Sequence, residues 1–351
     1  MSTGMRFGLG LVVGKFSPLH RGHEALVATA AAQCERLLIL SYSQPELPGC
    51  EAARRRRWLA ARFPEHECWV FDAATLAARC AERGLPPRRL PHNWESDAVQ
   101  QDFLAWLLRE LLQRQPDALF ANEAYAQPCA ARLAQAFGRP VQAVVPDRWR
   151  RGLPTSGTAL RARPQREFMA PEVWADCLPR IALVGGESSG KSTLAPLLAE
   201  RLGAAWVPEF GRHWWEVRGG TLDAGDLLHI AREQRRLEDE AARQGPVALV
   251  CDTAPLTTLG YSLWLGLPAA PELIERARQP YAAWLLCRGD FPFAQDGTRR
   301  DARFRAQQEA WYRQMLAGQP VIELSGAVAQ RLRQAEGGLK RLGLLRTRAC
   351  A

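Results

Sequence analysis

The chain has 351 residues, enough for two domains of ordinary size that each bury a core. With 24% charged and 47% hydrophobic residues and no apolar run long enough to cross a membrane, it is neither a disordered, a fibrous nor a membrane-spanning chain. The net charge of +9 is spread along the chain with no helix-turn-helix or zinc motif, so an anionic small substrate is expected rather than nucleic acid.

In chain order, Phe7 to Val13 is apolar and glycine-rich and predicts a first strand. It runs into Gly14-Lys15-Phe16-Ser-Pro-Leu-His20-Arg-Gly-His23, and helical composition begins at Glu24. His20 and His23, three residues apart, share a face at a helix entrance, where imidazoles can donate to phosphate oxygens and Lys15 adds charge. A metal site is the competing reading, but no third ligand follows at suitable spacing. Leu37 to Ser41 predicts a second strand and Cys50 to Phe63 a helix. Four consecutive arginines, 54 to 57, point around that helix and are expected to be mostly solvated. A Pro-rich loop carries Trp94, which could stack on a flat acceptor or simply pack. Val99 to Gln113 has the apolar spacing of one amphipathic helix, and Ala118–Ala121 and Val141–Val145 read as strands of a parallel sheet. Next comes Thr155-Ser156-Gly157-Thr158-Ala-Leu-Arg161, in which hydroxyls, helix-start amides and a guanidinium form a phosphate clamp.

Pro164, Pro171 and Pro179 punctuate a bridge, and a second domain is expected to open near residue 177, giving domains 1–176 and 177–351. Arg180 to Val184 is an apolar strand that leads into Gly185-Gly186-Glu187-Ser188-Ser189-Gly190-Lys191-Ser192-Thr193. Glycines let successive N–H groups converge on a nucleotide's phosphates, Lys191 reaches the β and γ phosphates, and Ser192 reaches Mg²⁺. A strand over Ala204–Val207 ends at Glu209 and Arg212, placed to hold an acceptor's hydroxyls or to form a surface ion pair. Val247 to Asp252 is an apolar strand ending in a carboxylate, the Walker-B arrangement, with Asp252 acting on Mg²⁺ or accepting the acceptor's proton. Strands over Ala282–Cys287 and Val321–Leu324 flank a basic segment from Asp296. Its Arg299, Arg300 and Arg303 suit a lid that closes over a triphosphate, and a solvated charge run is the alternative. The basic helical tail from Arg331 carries no further signal.

The nine cysteines have no metal-like spacing and are expected to be reduced and mostly buried, in keeping with a cytoplasmic location. Of 46 basic residues only Lys15, Lys191 and Lys340 are lysine, and two of them sit inside the two phosphate-binding motifs.

His-x-Gly-His near the start and Ser-Gly-Thr-x-x-Arg near the end of one α/β domain resemble the nucleotidyltransferase superfamily. Followed by Gly-Gly-Glu-Ser-Ser-Gly-Lys-Ser, the order resembles the bifunctional nicotinamide-nucleotide adenylyltransferase/ribosylnicotinamide kinase family over nearly the whole chain. Further marks are Glu209 with Arg212, Asp252-Thr253 before Thr257-Thr258, and Asp296-Gly-Thr-Arg299; Thr155 departs from the family's usual aliphatic residue. The resemblance implies a Rossmann-like domain and a P-loop kinase domain, both with mainly parallel sheets. It implies ATP and Mg²⁺, the substrates nicotinamide mononucleotide and ribosylnicotinamide, and no nucleic-acid or membrane partner, with a homo-oligomer allowed. Some members carry an N-terminal helix-turn-helix, which the nearness of Gly14 to Met1 leads us not to expect here. A fused phosphopantetheine adenylyltransferase/dephospho-coenzyme A kinase and a non-catalytic nucleotide sensor are the rival readings.

Overall fold

The computed structural model describes residues 7–122, 125–147, 153–290 and 302–344. The chain divides into two compact units, Met1–Cys177 and Leu178–Ala351. No described helix is long and apolar enough to cross a membrane.

The first unit alternates strands and helices: β1 (Phe7–Val13), α1 (Arg21–Gln33), β2 (Cys34–Tyr42), α2 (Ala52–Arg62), β3 (Glu67–Phe71), α3 (Ala73–Glu82), α4 (Asp97–Trp106), β4 (Ala118–Phe120), α5 (Ala126–Phe137), β5 (Gln142–Val144), α6 (Gly157–Ala162) and α7 (Pro171–Cys177). Its five strands are parallel, in the order β3-β2-β1-β4-β5. Strand order reverses beside β1, where Leu11 pairs with Leu38 on one side and Leu119 on the other, so a crevice opens at the carboxyl ends of β1 and β4. Leu9, Leu11, Leu38, Leu40 and Leu119 are buried and join Phe71, Leu76 and Leu133 in one core. Helices cover such a sheet on both faces, which is why its central strands are apolar without alternation.

The single helix expected over Val99–Gln113 is interrupted. After α4 the backbone widens into a π-helical turn at Leu107–Leu112, ended by Gln113 at φ +53°. Leu107, Leu108, Leu111 and Leu112 of this turn are all buried in the core.

The second unit contains β6 (Arg180–Val184), α8 (Lys191–Leu202), β7 (Ala205–Val207), α9 (Phe210–Val217), α10 (Ala224–Arg243), β8 (Leu249–Asp252), α11 (Pro255–Trp264), α12 (Pro271–Ala277), β9 (Ala283–Cys287), α13 (Ala302–Met315), β10 (Val321–Leu324) and α14 (Val328–Arg341). The parallel order is β10-β9-β6-β8-β7, with Leu183 of β6 between Asp252 and Leu285. β8 starts later than the apolar run does, because Val247 is exposed at its entry. The strand's fully buried end is Asp252, so a carboxylate stands where a core residue would otherwise be.

A charged knot underlies this sheet. Glu238 of α10 is fully buried and accepts bonds from Arg180 (2.9 Å), Arg235 (2.9 Å) and the Tyr281 hydroxyl (2.6 Å), while Arg180 also reaches Asp239 at 2.7 Å. Glu238→Ala would remove the buried acceptor shared by both guanidiniums and the Tyr281 hydroxyl, leaving the guanidiniums only the half-exposed Asp239. We expect a loss of about 3–5 kcal/mol, seen as a lower urea midpoint of the full chain.

All eight described cysteines are free thiols, six of them buried, and Cys350 lies outside the described residues. Burial pushes the Cys50 and Cys68 thiols up to about 11 from an ordinary value of 9.0. The folded chain thus holds these protons longer than the unfolded chain. This contribution is whole below pH 9 and is lost as the pH rises through about 11. Melting temperatures should therefore fall across that window more steeply in the native sequence than in a Cys50→Ala/Cys68→Ala variant.

Candidate active sites

In the first unit the chain leaves β1 through Gly14, whose N–H donates to the Leu40 carbonyl at 3.0 Å, and turns at Phe16, buried and at φ +48°. His20 caps α1. Its Nδ1 accepts from the Gly22 N–H at 3.1 Å, and His23 Nδ1 accepts from the His20 N–H at 3.3 Å. The two rings stack with centroids 3.8 Å apart. With Nδ1 of both rings taken as acceptor, a neutral imidazole carries its proton on Nε2 and so offers that edge as a donor.

The second arm comes from α6. Ser156 caps it by accepting from the Ala159 N–H at 3.2 Å, and Arg161 donates to Thr158 Oγ1 at 3.1 Å and to the Ser17 carbonyl. Both arms meet in a cavity of about 560 Å³ lined by Lys15, His20, His23, Ser156, Thr158 and Arg161, with Gly14 and Phe16 also on its wall. The approach is close because residue 157 is glycine: a Cβ there would lie 2.6 Å from the Ser17 carbonyl oxygen.

Trp94 stands differently. It is 72% exposed and stacks on His92 at 4.4 Å, while its neighbours Asn93 and Glu95 line the cavity and Trp94 does not.

The arginine run departs from expectation. Arg55 is 0% exposed; it donates to Ser41 Oγ at 2.6 Å, Glu46 at 2.7 Å and the Cys50 carbonyl at 3.0 Å. Ser41 Oγ in turn donates to the Lys15 carbonyl at 3.0 Å, as does Ser17 Oγ. Arg56 pairs with Asp72 at 2.5 Å and Arg57 with Asp176 at 2.9 Å. The run is a set of struts because each helical position faces a different neighbour, and one of those neighbours supports the Lys15 loop.

In the second unit, β6 ends in a loop whose Gly185 adopts φ +147° against the Cys287 carbonyl, where a Cβ would come within 2.4 Å of the oxygen. Lys191 folds back over this loop and donates to the carbonyls of Gly185 (3.0 Å) and Gly186 (3.1 Å). Glu187 bonds through its N–H to Gln308 (2.8 Å) and through its carboxylate to the Tyr261 hydroxyl (3.1 Å). Among the described residues, the Ser188 and Ser189 hydroxyls and Asp252 Oδ1 are buried with no partner. Ser192 and Thr193 are exposed at the start of α8.

Burial pushes the Asp252 carboxyl up, against a hydrogen bond from Ser192 and the charges of Lys191 and Arg212. Burial also raises Glu209, with Lys191 and Arg212 opposing and Asp252 and Glu187 adding to the rise. Glu209 is only half-buried as a residue, yet its carboxyl is desolvated enough for burial to lead. Glu209, Arg212, Lys191 and Asp252 thus share one electrostatic neighbourhood rather than a separate surface pair. No group of three or more metal-ligating side chains exists among the described residues, so a cation here would need phosphate and water oxygens. A partnerless buried carboxylate oxygen beside the Ser192 hydroxyl fits a Mg²⁺ held in that manner.

Of the basic segment, Arg299 and Arg300 lie outside the described residues, and Arg303 is exposed in the first turn of α13. The residue that sequence reasoning missed is Arg305, whose main chain packs on the loop so closely that a Cβ on Gly186 would meet its carbonyl at 2.8 Å. Arg331, also passed over, is buried behind the same loop.

These features define a Rossmann-like nucleotidyltransferase fold followed by a P-loop kinase fold, each built on a parallel sheet. The chain is similar to NadR proteins, a likeness its motifs led us to expect. It is 27% identical over 316 residues to the "Trifunctional NAD biosynthesis/regulator protein NadR" of Escherichia coli (strain K12), covering 83% of this chain and 71% of the relative. The same protein of Salmonella typhimurium is 27% identical over 311 residues, with 83% and 71% covered. Residues 180–331 match a family model described as an AAA domain. A NadR protein solved in complex with NR superposes over 100% of both chains with a TM-score of 0.69 and 18% identity. One solved with NAD and AMP-PNP gives 0.69 and 17% identity over 99% of this chain and 100% of that one.

The Gly157 contact yields a test of the first site. Gly157→Ala should push α6 away from Ser17 and abolish the protection that ATP gives residues 14–23 in hydrogen exchange, while protection of 185–193 is unchanged.

Proposed function

We propose that the chain makes NAD in two steps. The second unit phosphorylates ribosylnicotinamide with ATP, and the first joins the resulting nicotinamide mononucleotide to AMP from a second ATP with release of pyrophosphate. The observation that carries this reading is the presence, within one chain, of two separate phosphate-binding constellations of different design. One is the stacked histidine pair facing Arg161 across a cavity, the other a glycine loop and lysine beside a buried aspartate. The nicotinamide acceptor is supported by the NadR relatives and by the structures solved with NR and with NAD and AMP-PNP, and it is favoured over a pantetheine acceptor on that ground.

In the kinase unit, Lys191 exchanges its two loop carbonyls for the β and γ phosphates when nucleotide enters, so the loop is held ready without a buried unpaired ammonium. Ser192 and Asp252 would hold Mg²⁺, which would supply positive charge against the transferring phosphoryl group. The acceptor's 5′-hydroxyl oxygen attacks the γ phosphorus, the bond to the β-phosphate oxygen breaks, and the hydroxyl proton goes to Asp252 where that carboxylate is not on the metal and to water where it is. Glu209 and Arg212 hold the acceptor's hydroxyls from the same neighbourhood, and Arg299, Arg300 and Arg303 close over the phosphates.

Adenylyl transfer needs no base. The mononucleotide's phosphate oxygen is already anionic; it attacks the α phosphorus of ATP, and pyrophosphate departs. Lys15, His20, His23, Ser156, Thr158 and Arg161 align the two phosphates and stabilise the charge of the five-coordinate state. Trp94 does not line this cavity, so no contact with the nicotinamide is assigned to it. The enzyme works on these small molecules in the cytoplasm, without nucleic acid or membrane, and a homo-oligomer is compatible with this.

His23→Ala should abolish NAD formation from the mononucleotide and leave ribosylnicotinamide phosphorylation intact; Lys191→Ala should do the reverse. Loss of both activities from either change, in a chain that still folds, would rule out two independent sites.

A further inference from the structure

Behind the glycine loop lies Arg331, in the first turns of α14 and only 3% exposed. Its Nη1 donates to the Ser189 carbonyl at 2.9 Å, its Nη2 to the Arg288 carbonyl at 2.7 Å and to Asp290, and its Nε to the Gly326 carbonyl at 2.7 Å. One guanidinium therefore ties the phosphate loop to the segments that follow β9 and β10. Asp290 closes the arrangement by accepting from the Gly326 N–H at 2.6 Å.

We propose that Arg331 is a positioning residue for the kinase unit: by gripping the Ser189 carbonyl it aims the next amide, Gly190 N–H, into the phosphate cradle. The inference rests on the kinase reading above. A trans peptide points its C=O and N–H in opposite directions, so a carbonyl drawn back towards α14 turns the Gly190 N–H forward. A cation on the carbonyl oxygen also polarises that peptide and makes its N–H a stronger donor. Arg331 touches no substrate, and acts only through this peptide. Lysine would not do the same, since an ammonium cannot span acceptors on three segments in one plane.

The test uses the full chain. Arg331→Met should raise KM for ATP in ribosylnicotinamide phosphorylation by about ten- to a hundredfold. The β phosphate is held in ground state and transition state alike, so kcat and KM for ribosylnicotinamide should change by less than about threefold. Adenylyl transfer should stay at the wild-type rate, and Arg331→Lys should fall between the two. Hydrogen exchange over residues 185–193 with and without Mg-ADP reads the loop with no acceptor present: nucleotide should protect it in the wild type, and at the same concentration fail to in Arg331→Met. A wild-type KM for ATP with unchanged protection in Arg331→Met would overturn the proposal, as would a fall in kcat that tracks a lowered melting temperature at constant KM. If Arg331→Met does not fold, Arg331→Lys decides alone, and an unchanged KM for ATP overturns it. A wild-type chain whose loop is protected by Mg-ADP but which leaves ribosylnicotinamide untouched would sink the acceptor assignment and not the role of Arg331.

Discussion

When a parallel strand ends in the middle of its sheet, the amides that follow it are hemmed in by neighbouring strands and must find partners on the one open side. Both units exploit this at a point where strand order reverses, after β1 in one and after β6 in the other. The two solutions differ in what supplies the donors. After β1 the chain turns at Phe16, and imidazoles that accept from backbone amides carry the polar edge forward. After β6 the backbone itself is presented, which requires glycine where the loop brushes Cys287 and Arg305.

Each loop is braced from behind by a buried arginine. Arg55 supports the first loop through Ser41, and Arg331 the second directly at Ser189. Each is a buried guanidinium with a carboxylate partner, Glu46 or Asp290; Arg331 spends its other donors on main-chain carbonyls, and Arg55 divides its own between the Cys50 carbonyl and the Ser41 hydroxyl. Planar donors in a fixed fork can brace several strands of backbone at once, so the chain's preference for arginine over lysine has a structural use beyond surface charge.

The sequence made the parallel architecture and both phosphate loops legible, because each rests on local pattern: an apolar strand, a glycine turn, a helix start. The meeting of His20 and His23 with Arg161 in one cavity was legible through the resemblance to nucleotidyltransferases, which pairs the two motifs. What escaped depended on contacts distant in sequence. Nothing local marks Arg55 out from Arg54, Arg56 and Arg57; only the packing of α2 against Ser41 and Glu46 buries it. Arg331 reads as one more basic residue of a tail until Ser189, 142 positions earlier, is seen beside it. The π-helical turn at Leu107–Leu112 escaped because its leucines, at i, i+1, i+4 and i+5, carry the same spacing as one face of a regular helix.

The scarcity of lysine has a practical side. Lys15 is exposed in one cavity wall, Lys191 is half-exposed in the glycine loop, and Lys340 is exposed on α14, so amine-directed reagents have three side chains to choose from and two lie in phosphate sites. Coupling this protein to a surface or a dye through its amines would tend to silence it, whereas nucleotide present during the coupling should shield both sites and steer the label to Lys340 and the α-amino group.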